Sequence, residues 1–416
     1  MKTVLCFVFI AVALFGQSKI LINMDLNQTD HLKAYGITFS ELQNGNTCDW
    51  LLNYRGGSFM LNYSNELASQ CRIKGVSFEI LSTQEALDIL ALVQSDEQNM
   101  DVARLEKAPK IAVFVPEGYL PWDDAVSLAL DYAEVKYDKI WLKEILRGDL
   151  SKYDLLHLHH EDFTGQYGKF YASYSGAQWY IEQQALYERE AKKLGYKKVS
   201  DMEKEVVKTI KQYVADGGFL FAMCSATDSY DISLASLNVD IADKMYDGDA
   251  ADPDAQNKLD FNNTFAFENF KLEMNPYIYE YSNIDIQPTE IGNQTNDYFS
   301  LFDYSAKYDP VPTMLIQNHV NIVRGFMGQT TMFRKSLIKK SVYILGERAG
   351  TDQVKYIHGN FGRGTFTFYG GHDPEDYQHA VGDPPTDLSL HKNSPGYRLI
   401  LNNILFPAAK KKQQKT

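Results

Sequence analysis

The sequence predicts an α/β protein: a doubly wound, mostly parallel sheet, preceded by a small α/β module and interrupted by an insertion. Three observations carry this. From Lys110 onward, apolar strand-like runs alternate with helical patterns, in the order KIAVFVPEG, PWDDAVSLALDYAEV, DKIWL, DLLHLHH and a long helical region from Ala177 to Asp216. Two later runs, GGFLFAMC (217–224) and GTFTFYGG (364–371), are short, nearly continuous apolar stretches bounded by glycine, as expected of strands covered on both faces. Between them, residues 243–318 are rich in Asp, Asn, Tyr and Phe with only weak strand signals such as YIYEYSNI, the composition of an insertion.

The elements follow in order. Residues 1–18, MKTVLCFVFIAVALFGQS, combine Lys2, an apolar run from Val4 to Phe15 and small residues at Gly16 and Ser18, and so read as a secretory signal peptide. The N-terminal module spans 19–108: a strand and helix in KILINMDLNQTDHLKAYGITFSEL, a hairpin around Arg55-Gly56-Gly57, a short helix from Asn65 to Lys74, the strand VSFEIL, and a helix opened by the capping box Ser82 to Glu85. Residues 94–110 read as a linker. The main α/β domain runs from 109 to 408, with SVYILGE and a hairpin at 361–364 resuming the sheet and SPGYRLILNNILF closing it. The basic tail, 409–416, reads as disordered.

The formal net charge of −13 argues against nucleic acid as a partner. The apolar run at the start is short for a membrane span and no other stretch approaches the length required, so the chain is expected to be exported, periplasmic or secreted, with no stable membrane span. Of the four cysteines, Cys6 leaves with the signal. Cys48, Cys71 and Cys224 remain, an odd number that leaves at least one thiol free. Cys48 and Cys71 are the candidate disulfide pair. The alternative is that all three are small buried apolar residues.

Three apolar strands end in chemically capable groups: DLLHLHHED at His159, His160, Glu161 and Asp162; GGFLFAMC at Cys224; and FTFYGG at Gly371, His372, Asp373 and Glu375. In a doubly wound sheet the carboxyl ends of the strands line the ligand crevice. A thiol there becomes a nucleophile when an imidazole or helix N-terminus favours its thiolate and a carboxylate orients the imidazole. Cys224 is the candidate nucleophile, His372 its general base, and Glu375 or Asp373 the orienter. The amides of Ser225 and Ala226 are candidate oxyanion donors, and His159 and Glu161 candidate substrate-positioning groups.

This pattern resembles the class I glutamine amidotransferase-like fold, a flavodoxin-like architecture in which Cys sits on a tight strand-to-helix elbow and His with Glu follows a late strand. The resemblance covers residues 110–407 and implies cysteine-dependent amide or ester hydrolysis or amide transfer. That family prefers glycine two residues either side of the cysteine, where this chain has Ala222 and Ala226. Its His and Glu are two apart, whereas Pro374 lengthens the spacing from His372 to Glu375. At finer grain, ILINMDLNQTDHLKAYGITF, DWLLNYRGGSFML and GGHDPEDYQHAVGDPPTDLSLHKNSPGYRLILNNILFP resemble an exported bacterial family often labelled asparagine synthetase B. That label implies an N-terminal cysteine nucleophile and a glycine-containing ATP loop, but position 2 is Lys and SATDS (225–229) has no glycine. Hydrolysis matches the residues better than synthesis.

Other readings stay open. No cofactor is expected, although His159, His160, Glu161 and His372 could bind zinc in a metallohydrolase. Aromatic residues of the insertion could bind glycan, and Asp247 to Asp254 could attract calcium but lacks EF-hand spacing and reads as a solvated loop. The competing class is a non-catalytic module holding a small-molecule or envelope ligand.

Overall fold

The computed structural model describes residues 18–118 and 121–410. The signal-peptide expectation for 1–18 lies outside the described residues except at Ser18, and so does all but the first two residues of the basic tail. Five strands open the chain: β1 (Lys19–Ile22), β2 (Cys48–Leu52), β3 (Ser58–Asn62), β4 (Glu79–Leu81) and β5 (Asp101–Leu105). They form an antiparallel sheet in the order β4-β1-β3-β2-β5. The hairpin around Arg55-Gly56-Gly57 joins β2 to β3, with Trp50 opposite Phe59. The expected linker at 94–110 is corrected by β5, whose Val102, Ala103 and Leu105 pack inward or face β2 across Leu51, Trp50 and Cys48.

The second sheet contains β6 (Ile111–Phe114), β7 (Asp138–Ile140), β8 (Leu155–Leu158), β9 (Phe219–Met223), β10 (Tyr298–Leu301), β11 (Ile322–Arg324), β12 (Phe333–Arg334), β13 (Tyr343–Arg348), β14 (Gln353–Phe361) and β15 (Gly364–Tyr369). Its order is β11-β10-β13-β14-β15-β9-β8-β6-β7, with β12 on β14. The sheet is mixed. The run β15-β9-β8-β6-β7 is parallel and the remainder antiparallel. Within the parallel run the first strand, β6, lies between the second and third, so the loops leaving β6 and β8 diverge and open a crevice at their carboxyl ends. β10 belongs to this sheet although it lies in the segment read as an insertion, and YIYEYSNI forms turns rather than a strand.

The apolar core is continuous between the two sheets. Helix His31–Gln43 crosses helix Ala125–Ala133 so closely that a Cβ on Gly36 would lie 1.8 Å from the Ala133 carbonyl. From the last helix, Pro395–Leu405, the buried Arg398 donates to the carbonyls of Met24 (2.9 Å) and Gly56 (2.7 Å), fastening the first module to the end of the chain. Among the described residues no helix is long and apolar enough to cross a membrane.

The expected Cys48–Cys71 disulfide is corrected: both thiols, and Cys224, are free and buried. Cys48 on β2 and Cys71 in helix Asn65–Ile73 sit in the same apolar core cluster. Burial pushes the Cys48 thiol well up and Cys71 up to about 11, which suppresses the thiolate that oxidation requires. A disulfide closing this loop would stabilise the chain by about 3 kcal/mol. Reductant should therefore leave the melting temperature of the protein unchanged; a clear fall on reduction would show that the bond exists.

Candidate functional site

Cys224 follows β9 directly and caps helix Ser225–Ala235 with φ +50° and ψ −138°. A non-glycine residue in that conformation costs on the order of 1–3 kcal/mol, retained where the surrounding fold holds it. The elbow turns the thiol out of the strand and places it at the helix N-terminus. Alanine suffices two residues either side because the elbow is closed by backbone: the Ala226 amide donates to the His159 carbonyl at 3.2 Å, tying the helix start to the end of β8. That bond occupies Ala226, so the expectation that it donates to an oxyanion is corrected. The Ser225 amide faces the sulfur, and the Gln329 amide donates to it at 3.3 Å.

His372, one residue beyond Gly371 after β15, lies beside the thiol. Burial pushes the Cys224 thiol up, but the His372 imidazole and the amides of Gln329 and Ser225 outweigh it and hold the thiol below its ordinary value. Burial likewise disfavours the His372 imidazolium, but Asp123 and Cys224 prevail and push it up to about 10. The two groups, 4 % and 5 % exposed respectively, form one buried pair in which each favours the ionised form of the other.

The carboxylate facing His372 is Asp123, in the loop after β6, with Oδ1 3.4 Å from Nε2. The candidate orienters from the sequence are both engaged elsewhere. Asp373 accepts from the Glu375 amide (2.8 Å) and the Tyr397 hydroxyl (2.8 Å), shaping the turn, while Glu375 pairs with His391 at 3.0 Å. Pro374 and the Asp373 turn direct Glu375 away from the imidazole. Asp123 Oδ1 also lies 3.3 Å from Nε2 of His379, whose Nδ1 is 2.8 Å from Asp376. The His372 and His379 rings stack at 4.4 Å.

The end of β8 supplies the other wall. His159 Nδ1 is 3.0 Å from Asp124 Oδ1, and His157 Nε2 is 3.4 Å from the same oxygen. Burial pushes Asp124 up, but these two imidazoles hold its carboxyl well below the usual range. His157 also bonds the Phe221 carbonyl at 3.1 Å, as a core histidine on the strand. His160 stacks on His159 at 4.0 Å and reaches the Asp123 carbonyl at 2.6 Å. Burial pushes both imidazoles down, His160 the further. Glu161 accepts the His159 amide at 2.7 Å, and burial pushes its carboxyl well up. It pins the strand end and stands outside the imidazole cluster.

His159, His160 and His372 each offer a nitrogen within 4.8 Å of the others, as do the donor atoms of Asp123, His372 and His379. His159 Nε2 and Asp123 Oδ2 are buried without a hydrogen-bond partner. These residues have the donor types and second-sphere carboxylate, Asp124, to hold a divalent metal. Asp247 also groups with Asp240 and Asp249 as a cluster of carboxylate donors, but Lys198 Nζ lies 2.6–3.1 Å from all three and offsets one of their charges.

Asp123, Asp124, Gln329 and His379 are missing from the sequence-based site. Asp123 and Asp124 were legible as an acidic pair after an apolar strand, and His379 as the second imidazole of HDPEDYQH. Gln329 carries no signal, since it acts through its backbone. A cavity of about 900 Å³ lies at the opposite sheet edge, against Asp154, Gly218 and Thr365 at the starts of β8, β9 and β15.

No family model matches the chain, and no curated protein does. Two solved cytoplasmic proteins of Salmonella typhimurium align with it: one at 9 % identity over 73 % of this chain and 100 % of its own, TM-score 0.35, the other at 11 % over 72 % and 100 %, TM-score 0.38. A β-galactosidase from Bacillus circulans sp. alkalophilus aligns at 14 % identity over 64 % of this chain and 29 % of its own, TM-score 0.26. Similarity at this level leaves the site to be read from its own geometry.

If Asp123 orients His372, D123N should slow Cys224-dependent ester cleavage by about 10²-fold or more, as loss of a triad carboxylate does elsewhere. E375Q should stay within about 3-fold of wild type. Cleavage of p-nitrophenyl acetate checks both, and the reverse ranking would return the orienting role to Glu375.

Proposed function

We propose that this protein is a cysteine-dependent acyl-transfer enzyme, an amide or ester hydrolase or amide transferase on an amidotransferase-like scaffold. The single observation that carries the reading is the strained elbow at Cys224, with its thiol held below the ordinary value beside His372. The parallel strand order, with the crevice beside β6, is in keeping with that scaffold.

The chemistry follows from the groups present. The Cys224 thiolate attacks an acyl carbonyl, a C–S bond forms, and the carbonyl electrons move to oxygen, where the Ser225 and Gln329 amides donate. On collapse the C–N or C–O bond breaks and the His372 imidazolium gives its proton to the leaving amine or alcohol. Neutral His372, held by Asp123, then takes a proton from water or an acceptor amine as it attacks the thioester. The C–S bond breaks and the thiolate and imidazolium are restored.

This reading fits the residues better than asparagine synthesis, because the SATDS segment (225–229) has no glycine to form the phosphate loop that activity needs. A metallohydrolase is the second reading, favoured by the unpartnered Nε2 of His159 beside His160 and His372. There a zinc ion would activate water.

Alkylation of Cys224 by iodoacetamide as a function of pH tests the first reading. The depressed thiol and raised imidazole predict that the half-rate point falls below that of an ordinary free thiol, about 8.5. In H372A it should rise toward or above that value. Inert Cys224 at every pH, with C224A cleaving esters like wild type, would overturn the cysteine mechanism. Protein purified without chelator should carry no stoichiometric zinc; one equivalent, lost with activity in H159A, would establish the metal reading instead.

A further inference from the structure

Lys355 is the third residue of β14 and is completely buried. A lysine out of water is rare and costly unless its ammonium is fully partnered. Its partners here are unusual: Nζ donates to the carbonyls of Phe326 and of Thr331 (2.9 Å) and lies 3.8 Å from the centre of the Phe326 ring. These two carbonyls are the ends of one tight loop, 326–331, and inside it is Gln329, whose amide reaches the Cys224 sulfur.

The loop is packed onto the catalytic strand end. The Gly371 amide donates to the Thr330 carbonyl at 2.7 Å and the His372 amide to the Met327 carbonyl at 2.9 Å. Gly371 has φ +91°, and a Cβ there would lie 2.6 Å from Lys355 Nζ, so the lysine, the loop and the residue before His372 are in mutual contact. Further ties run from Thr330 to Asp228 (2.7 Å) and from the Thr331 amide to Asp285 (2.9 Å). Lys355 adds a single side chain that bonds both end carbonyls, Phe326 and Thr331, alongside the backbone ties from Gly371 and His372 and the bonds between the Thr331 hydroxyl and Gly328.

We propose that Lys355 is a positioning residue for acyl transfer: by bridging Phe326 and Thr331 it fixes the Gln329 amide where the oxyanion develops. The role rests on the cysteine reading above. It requires only the N–H donors, which the amine keeps whether or not it is charged. Burial pushes Lys355 down to about 7 against the pull of Asp297, Asp285 and Cys224, so both forms are accessible near neutrality.

The test uses two reagents on one thiol. Iodoacetamide reacts at a saturated carbon and forms no oxyanion, whereas p-nitrophenyl acetate acylates through one. In the full chain, at an alkaline pH where the alkylation rate of each protein has reached its plateau and Cys224 is fully ionised in both, K355M should alkylate at Cys224 within about 3-fold of wild type, while its nitrophenol burst slows by about 10²-fold or more, the loss expected when one oxyanion donor is displaced. K355Q, which keeps a side-chain N–H donor, should recover part of the burst, and it serves as the working variant if K355M loses its cooperative melting transition. An unchanged burst in a folded K355M or, failing that, in K355Q with its donor too short to span both carbonyls would overturn the role. So would an equal loss of alkylation and burst, because the lysine would then be acting on the thiol. A wild-type chain that neither alkylates nor acylates at Cys224 removes the cysteine reading and this role with it.

Discussion

Everything at the strand ends depends on the buried pairing of the Cys224 thiol with the His372 imidazole. Cys224 and His372 are nearly inaccessible, and desolvation opposes the ionised form of both. Burial of an ion costs several kcal/mol in practice, so the pair exists only if fixed dipoles and neighbouring charge offset that cost. Two backbone amides do this for the sulfur and Asp123 does it for the imidazole. The positive φ at Cys224 belongs to the same arrangement, because only that elbow brings the sulfur to the helix N-terminus while the Ala226 amide closes on β8.

The sheet explains why these groups meet. Placing β6 between β7 and β8 sends the chain away on both sides and leaves the crevice into which Asp123, Asp124, His159 and His160 project from the first and third parallel strands. β9 and β15 then add the thiol and the imidazole in register, with Tyr369 beside Met223. The antiparallel strands beyond β15 are more than an extension. β14 carries Lys355, and the segment between β11 and β12 supplies the loop that reaches back to the sulfur.

The apolar periodicity made the parallel strands and the edge carrying the candidate site legible, and with them Cys224, His372 and His159. Partners were harder to read. Glu375 looked like an orienter because sequence distance stood in for space, while Asp373 and Pro374 turn it toward His391. Asp123 is 249 residues from His372 and is joined to it only by the order of strands. Cys48 and Cys71 look like a pair on parity, yet both are satisfied by apolar packing. β5 and β10 hide in polar stretches because one face of each is exposed or pairs at an edge.

The most direct measurement of the central claim is the ultraviolet absorbance of the Cys224 thiolate, taken as the difference between wild type and C224A across the pH range. The account predicts that this absorbance rises at a lower pH than the thiolate of an ordinary free cysteine. A signal that first appears in alkali, at or above the ordinary range of a free thiol, would contradict it.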